Sequence, residues 1–245
     1  MRWLTLLLAF TALSACTKGP EADWVRGETG TVARILDGDT LALNTGQIVR
    51  LVSVEAPGFA YKGRPEHPYA ETSKRELETL ALGKQITLYY PGLTRDSYDR
   101  ALAHAFVEAE TSGRIWLNKE LVERGSVWVR VYSDTRAGSD ELWQAETRVR
   151  QSRAGVWSGG APLYYQKERL PDYGFVIVTS GPLAFERAND ACRAKLDELG
   201  LDVEVAMPAD EPCPPASDTD IELRGWLSNN RLRLDDTQNV RPVSD

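Results

Sequence analysis

Between Thr31 and Val54 the chain sets three short runs of β-branched and apolar residues around two tight-turn signals, and a β-meander is what fits in that length. Thr31–Leu36 is the first run, Asp37-Gly38-Asp39 turns the chain, Leu41–Asn44 returns, and Thr45-Gly46 turns it into Gln47–Val54. A loop rich in Pro, Gly and Lys/Arg follows from Pro57 to Pro68. A helix is expected over Tyr69–Leu82, with Leu77, Leu80 and Ala81 on one face and Gly83 ending it. Strand character recurs at Lys84–Tyr90 and Ala101–Ala109, with Ser112-Gly113 as a hairpin turn. A short helix over Asn118–Arg124, a strand over Val127–Val131 and a third helix over Ser139–Arg153, closed by Gly155, complete the pattern. This order predicts an α+β, mainly β fold: a five-stranded Greek-key barrel of the OB type with three helices.

Pro162–Pro171 reads as a linker, within a boundary set at 161–173. Beyond it the pattern predicts a small α+β appendage over 174–245: a strand at Gly174–Thr179, a helix at Leu183–Leu199 and a strand at Leu201–Val205. A Pro-rich acidic loop over Met207–Asp220 and a hairpin, Ile221–Trp226 with Arg231–Leu234, follow. Its function is not legible. The net charge of −7 is concentrated here: residues 172–245 carry 7 Lys/Arg against 15 Asp/Glu, residues 1–171 carry 22 against 21. The nearly neutral main domain is thus free to present a local basic cleft.

The amino terminus has a different character. Arg2 gives a basic n-region, Trp3–Leu13 an apolar stretch too short to span a bilayer, and Leu13-Ser14-Ala15-Cys16 looks like a bacterial lipobox. Residues 1–15 are expected to be a lipoprotein signal peptide, Cys16 the lipidated residue and 16–28 a polar tether, leaving the domain to begin at 29. The other reading is an ordinary signal peptide that ends near a Cys. An envelope location, anchored and facing the periplasm or exterior, follows from the lipobox. With Cys16 acylated, Cys192 and Cys213 remain as an even pair, expected to form a disulfide. His67 and His104 are the only histidines and lack metal-ligand company, so both read as structural or exposed.

Hydrolysing a phosphodiester calls for a hard cation held by oxygen ligands, guanidiniums to neutralise the phosphorane-like transition state, and a group to take the proton of water. Asp37-Gly38-Asp39-Thr40 lies at a strand end, Arg50-Leu51-Val52-Ser53-Val54-Glu55-Ala56-Pro57 runs from a strand into a loop, and Tyr98-Asp99-Arg100-Ala101-Leu102-Ala103 enters a later strand. With Leu117–Gly125 and Ala154-Gly155-Val156-Trp157, these ordered motifs resemble the staphylococcal nuclease family over residues 29–160.

The resemblance implies Ca²⁺ held by Asp39, Glu55 and the Ala56 carbonyl, with Asp37 behind them. It implies Arg50 and Arg100 on the scissile phosphate and Tyr98 in the nucleotide pocket. Two departures matter. Glu55 stands where the family usually has Asp, and Gly58 stands where the family has its catalytic glutamate. Glu66, in the same loop, is the candidate replacement base; a solvated surface carboxylate is the other reading. Lys62, Arg64, Lys74 and Arg75 form either a phosphate-tracking patch or a solvated face.

The leading expectation is a Ca²⁺-dependent phosphodiesterase acting on DNA or RNA outside the cytoplasm, with activity reduced by the loss of the glutamate. A nearly inert nucleic-acid- or nucleotide-binding module and an envelope scaffold lipoprotein are the alternatives. Nucleic acid and a membrane are the expected partners, and no protein partner is identifiable.

Overall fold

The computed structural model describes residues 20–61, 63–109, 113–158, 163–164, 170–208 and 210–243. The signal peptide, Cys16, Lys62, Ser112 and most of the expected linker lie outside them.

The first unit contains β1 (Val25–Ile35), β2 (Thr40–Leu43), β3 (Ile48–Leu51), β4 (Val54–Glu55), α1 (Ala70–Ala81), β5 (Gln85–Tyr90) and β6 (Ala101–Ala109). β7 (Gly113–Trp116), α2 (Leu117–Glu123), β8 (Trp128–Val129) and α3 (Ser139–Gln151) complete it. Its strands run in the order β3-β2-β1-β5-β6-β7, and a parallel β3–β6 pairing closes β1, β2, β3, β6 and β5 into a barrel. The strands show why: Leu41, Val49, Leu51, Ile86, Leu88, Ala103 and Ala105 are all buried to at least 99%. Leu77 of α1, Leu121 of α2 and Leu142 of α3 enter the same core, each worth roughly 2 kcal/mol of apolar burial.

β1 starts earlier than the expected boundary at 29. Val25 and Arg26 pair with Tyr90 and Tyr89, so the end of the expected tether belongs to the barrel. Polar residues exposed on an edge segment carry no burial period, and only pairing with β5 reveals the strand.

Just before that strand, Trp24 stacks on His104 at 4.2 Å. His104 is fully buried; Nε2 donates to the Ala137 carbonyl at 2.9 Å and Nδ1 accepts from Trp116 Nε1 at 3.2 Å. Burial pushes its pKa down to about 4, so the ring is neutral in the fold. The unfolded chain, titrating near 6.5, binds the extra proton first. Stability should therefore be full above about pH 6.5 and fall by about 3 kcal/mol as pH drops towards 4. Urea unfolding of the wild type and His104→Phe across that window checks this, the variant being expected to lose that part of the pH slope.

The second unit holds β9 (Leu163–Tyr164), β10 (Tyr173–Ser180), β11 (Glu186–Ala188), β12 (Ala191–Leu196), β13 (Leu201–Ala206), β14 (Ile221–Ser228), β15 (Arg231–Leu234) and β16 (Val240–Pro242). The sheet order is β11-β12-β13-β15-β14-β10-β9, with β16 on β14. The helix expected over Leu183–Leu199 is instead the β11–β12 hairpin. The helix formers there misled because a second pattern runs beneath them: Cys192 and Leu196 are buried while Arg193 and Lys195 are exposed, a period of two. Asn189 at φ 59° turns the chain, and β12 pairs along its length with β13. A disulfide joins Cys192 to Cys213.

The two units are locked together by buried polar groups. Arg224 of β14 reaches Glu146 of α3 at 2.7 Å, Glu222 at 2.6 Å and the Val129 carbonyl at 2.9 Å. Arg150 pairs with Glu222 at 2.6 Å. The Asn239 side chain accepts from Val131 N at 3.0 Å and donates to its carbonyl at 2.7 Å, imitating a neighbouring strand.

Candidate active site

Chain order and strand register assemble the site. The Asp37–Asp39 turn is closed by the Leu36 and Asp37 amides donating to the Thr40 carbonyl. Asp37 Oδ1 accepts from Asp39 N at 3.0 Å. Gly38 is required here, since a Cβ would collide with the Ser73 side chain of α1.

Thr40 lies opposite Arg50 in the β2–β3 ladder, which brings Asp39 beside the guanidinium. Asp39 Oδ2 accepts from Arg50 Nη1 at 2.6 Å and from Ala56 N at 2.6 Å, while Oδ1 accepts from Thr40 Oγ1 at 2.9 Å. The parallel β3–β6 register, Val49 opposite Ala101, carries Arg100 to the same rim.

Glu55 closes the cluster from β4. Its Oε2 accepts from Arg50 Nη2 at 2.9 Å and from Arg130 Nη1 at 3.1 Å. Arg130 in turn holds Asp235 of the appendage at 2.6 Å, so a chain of alternating charge runs Asp39–Arg50–Glu55–Arg130–Asp235.

Burial pushes the Asp39 carboxyl well above the usual range; Arg50 opposes this, and the nearby Asp37 and Glu55 charges add to it. Burial alone would lower Arg50, but Asp39 and Glu55 outweigh it and hold the guanidinium charged. Arg130 is held charged in the same way by Glu55 and Asp235.

Arg50, Tyr98, Arg100 and Tyr132 line one cavity of about 300 Å³. Arg100 is tethered by Asp96 at 2.7 Å and lies over the Tyr98 ring at 5.6 Å. Glu55, Ala56, Gly58, Glu66, His67 and Trp128 line a second cavity of about 200 Å³. The Arg50–Glu55 pair therefore lies between the two, and Glu66 opens onto the same space as Glu55 and Gly58. At Gly58, a Cβ would run into the Arg64 guanidinium, so a cationic group fills the space where a side chain would project. Arg64 Nη2 donates to the Phe59 carbonyl at 3.2 Å.

Among the described residues, no group of three or more His, Cys, Asp or Glu side chains is placed to hold a metal ion. Asp39, Glu55 and Asp235 bracket the two guanidiniums of Arg50 and Arg130, with Asp37 hydrogen-bonded behind Asp39. Asp39 and Glu55, which converge on Arg50, supply oxygen donors of the kind a hard cation takes.

Arg130 and Asp235 escaped the sequence reading. A signal for the first was present: a lone charge in the apolar run Val127–Val131 needs a buried partner. Asp235 carries no such mark.

The family described as staphylococcal nuclease homologue matches residues 48–159. A thermonuclease from Staphylococcus hyicus is 22% identical over 158 residues, covering 63% of this chain and 90% of the relative. A thermonuclease from Staphylococcus intermedius is 24% identical over 136 residues, 54% of this chain and 78% of the relative. A probable endonuclease LCL3 from Candida albicans is 30% identical over 145 residues, 57% of each chain. The matched span begins at Ile48, after the Asp37–Asp39 turn, which the β2–β3 ladder brings back to Arg50. Family match, relatives and closed barrel agree: this chain carries a staphylococcal nuclease-family domain, and that family's activity is that of a nuclease.

Proposed function

We propose that the protein is a Ca²⁺-dependent phosphodiesterase that hydrolyses DNA or RNA outside the cytoplasm, held to a membrane through Cys16. The supporting observation is the placement of Arg50 and Arg100 on one cavity, with two carboxylates converging on Arg50.

In this reading Arg50 and Arg100 bind the phosphate and neutralise the charge that grows on its oxygens as water adds. Tyr98 offers its ring to the nucleotide. Asp39, Glu55 and the Ala56 carbonyl hold the Ca²⁺, with Asp37 behind them; when bound, the cation polarises the phosphate and favours the ionised form of water. Glu66, exposed on the neighbouring cavity, accepts the water proton as the oxygen–phosphorus bond forms. The leaving oxygen departs with a proton from solvent.

One observation favours a weaker second reading. The Arg64 guanidinium occupies the space at Gly58 where the family's glutamate would project, so binding without efficient turnover is the alternative.

Cleavage of single-stranded DNA and RNA by residues 17–245, with Ca²⁺ and with chelator, separates the two. Calcium-dependent cutting is expected. Full activity in chelator would remove the metal from the mechanism, and no cutting with retained, salt-sensitive binding would leave the binding module.

A further inference from the structure

We propose that the barrel-side face of the C-terminal sheet, where it borders the active-site cleft, binds single-stranded nucleic acid and extends that cleft, with Arg231 and Arg233 on its phosphates and Trp226 and Tyr173 under its bases. The inference rests on the nucleic-acid reading of the neighbouring site.

β15 alternates strictly: Leu232 and Leu234 are buried, Arg231 and Arg233 are exposed on one face. Next to them in the sheet, Arg233 is opposite Trp226 and Arg231 opposite Ser228. One strand further, Trp226 is opposite Phe175 and Ser228 opposite Tyr173. Guanidiniums and aromatic rings thus lie side by side. Tyr173 is 39% exposed and meets Trp226 edge-on at 5.1 Å.

A charge-balanced, merely soluble face would pair its cations, most readily in a region holding 15 acidic residues. Arg231 and Arg233 make no ion pair with any described residue. Across the β13–β15 ladder Arg231 is opposite Asp202 and Arg233 opposite Glu204; Glu204 is engaged by Arg193 at 3.2 Å, Asp235 by Arg130 at 2.6 Å, and Asp202 pairs with neither arginine. Two free guanidiniums remain, facing a cleft of about 850 Å³.

That cleft is continuous with the catalytic one. Trp226, Arg231 and Arg233 line it together with Tyr98 and Tyr132, and both tyrosines also line the cavity of Arg50 and Arg100. Tyr98, at the junction, is 81% exposed. A strand crossing from Arg100 past Tyr98 to Arg233 would meet cation and ring in alternation. That chemistry suits a single strand, whose bases are free to stack on side chains and whose identity stacking scarcely discriminates.

The test uses Arg231→Ala/Arg233→Ala, both exposed positions. Anisotropy of a labelled single strand of about 20 nucleotides, longer than the roughly 4–16 that one OB barrel covers, is titrated in chelator across a range of salt. Cleavage of a trinucleotide is measured in parallel with Ca²⁺. The double variant should bind the long strand about tenfold more weakly, with a salt slope shallower by about 1 to 2, and cut the trinucleotide with unchanged KM.

Unchanged affinity and slope for the long strand, with trinucleotide cutting intact, would overturn the extended face and leave the nuclease reading standing. Arginine-dependent binding without any cutting would support the face and remove the nuclease. An equal loss on a duplex of the same length would overturn the assignment to single strands, and a wild type that binds no strand would overturn both.

Discussion

Arg100→Ala should lower turnover on single-stranded DNA by about 10²–10³-fold while leaving the melting temperature nearly unchanged, the range expected for one lost donor to a developing oxyanion. The Arg100 side chain is 31% exposed, and its pair with Asp96 is of the kind worth at most about 1 kcal/mol. In the proposed mechanism its contribution therefore falls on the bound phosphate and not on the fold. Arg50→Ala should lose comparable activity and destabilise the fold as well. Arg50 lies between Asp39 and Glu55 at 2.6 and 2.9 Å, with its side chain 12% exposed. Removing it leaves the buried Asp39 without a counter-charge and Glu55 with Arg130 alone, a change of about 3–5 kcal/mol. Steady-state kinetics with thermal unfolding of both variants reads the two effects apart. An Arg100→Ala enzyme with wild-type kcat would rule out the phosphate clamp.

The second large effect belongs to the joint between the two units. Arg224→Ala should destabilise the protein by about 3–5 kcal/mol, because it leaves Glu146 and Glu222, each about 2% exposed, without their shared cation. Burial alone would lower the Arg224 charge and raise Glu222. The mutual attraction outweighs both, which is why neither partner tolerates loss of the other. Urea unfolding of the variant should show a lower midpoint and a separate early transition as the C-terminal sheet leaves the barrel. Arg193→Ala, which breaks only the exposed pair with Glu204, should move stability by no more than about 0.5 kcal/mol. Equal midpoints for the two variants would mean that the buried triad does not hold the units together.

Much of this protein was readable without coordinates, and for a local reason. Strands, turns and helices of the barrel repeat at periods of two and 3.6, so burial leaves its mark on neighbouring residues. β6 and β15 begin and end where the sequence places them, and α1 falls within one residue of its expected bounds. The candidate site residues Asp39, Arg50, Glu55 and Arg100 stood out because the motifs that hold them resemble those of the staphylococcal nuclease family. Their convergence is a consequence of the β2–β3 and β3–β6 registers.

What the sequence could not give were the partners chosen across the chain. Residues 183–199 carry helix formers, yet pairing with β13 and the Asn189 turn make them strands, because sheet hydrogen bonds are non-local. Arg130 looked like a charge in an apolar strand until folding brought Glu55 and Asp235 to either side. An ion pair between residues 130 and 235 has no sequence period to announce it. It exists only where packing removes water from both groups and leaves each the other as its counter-charge.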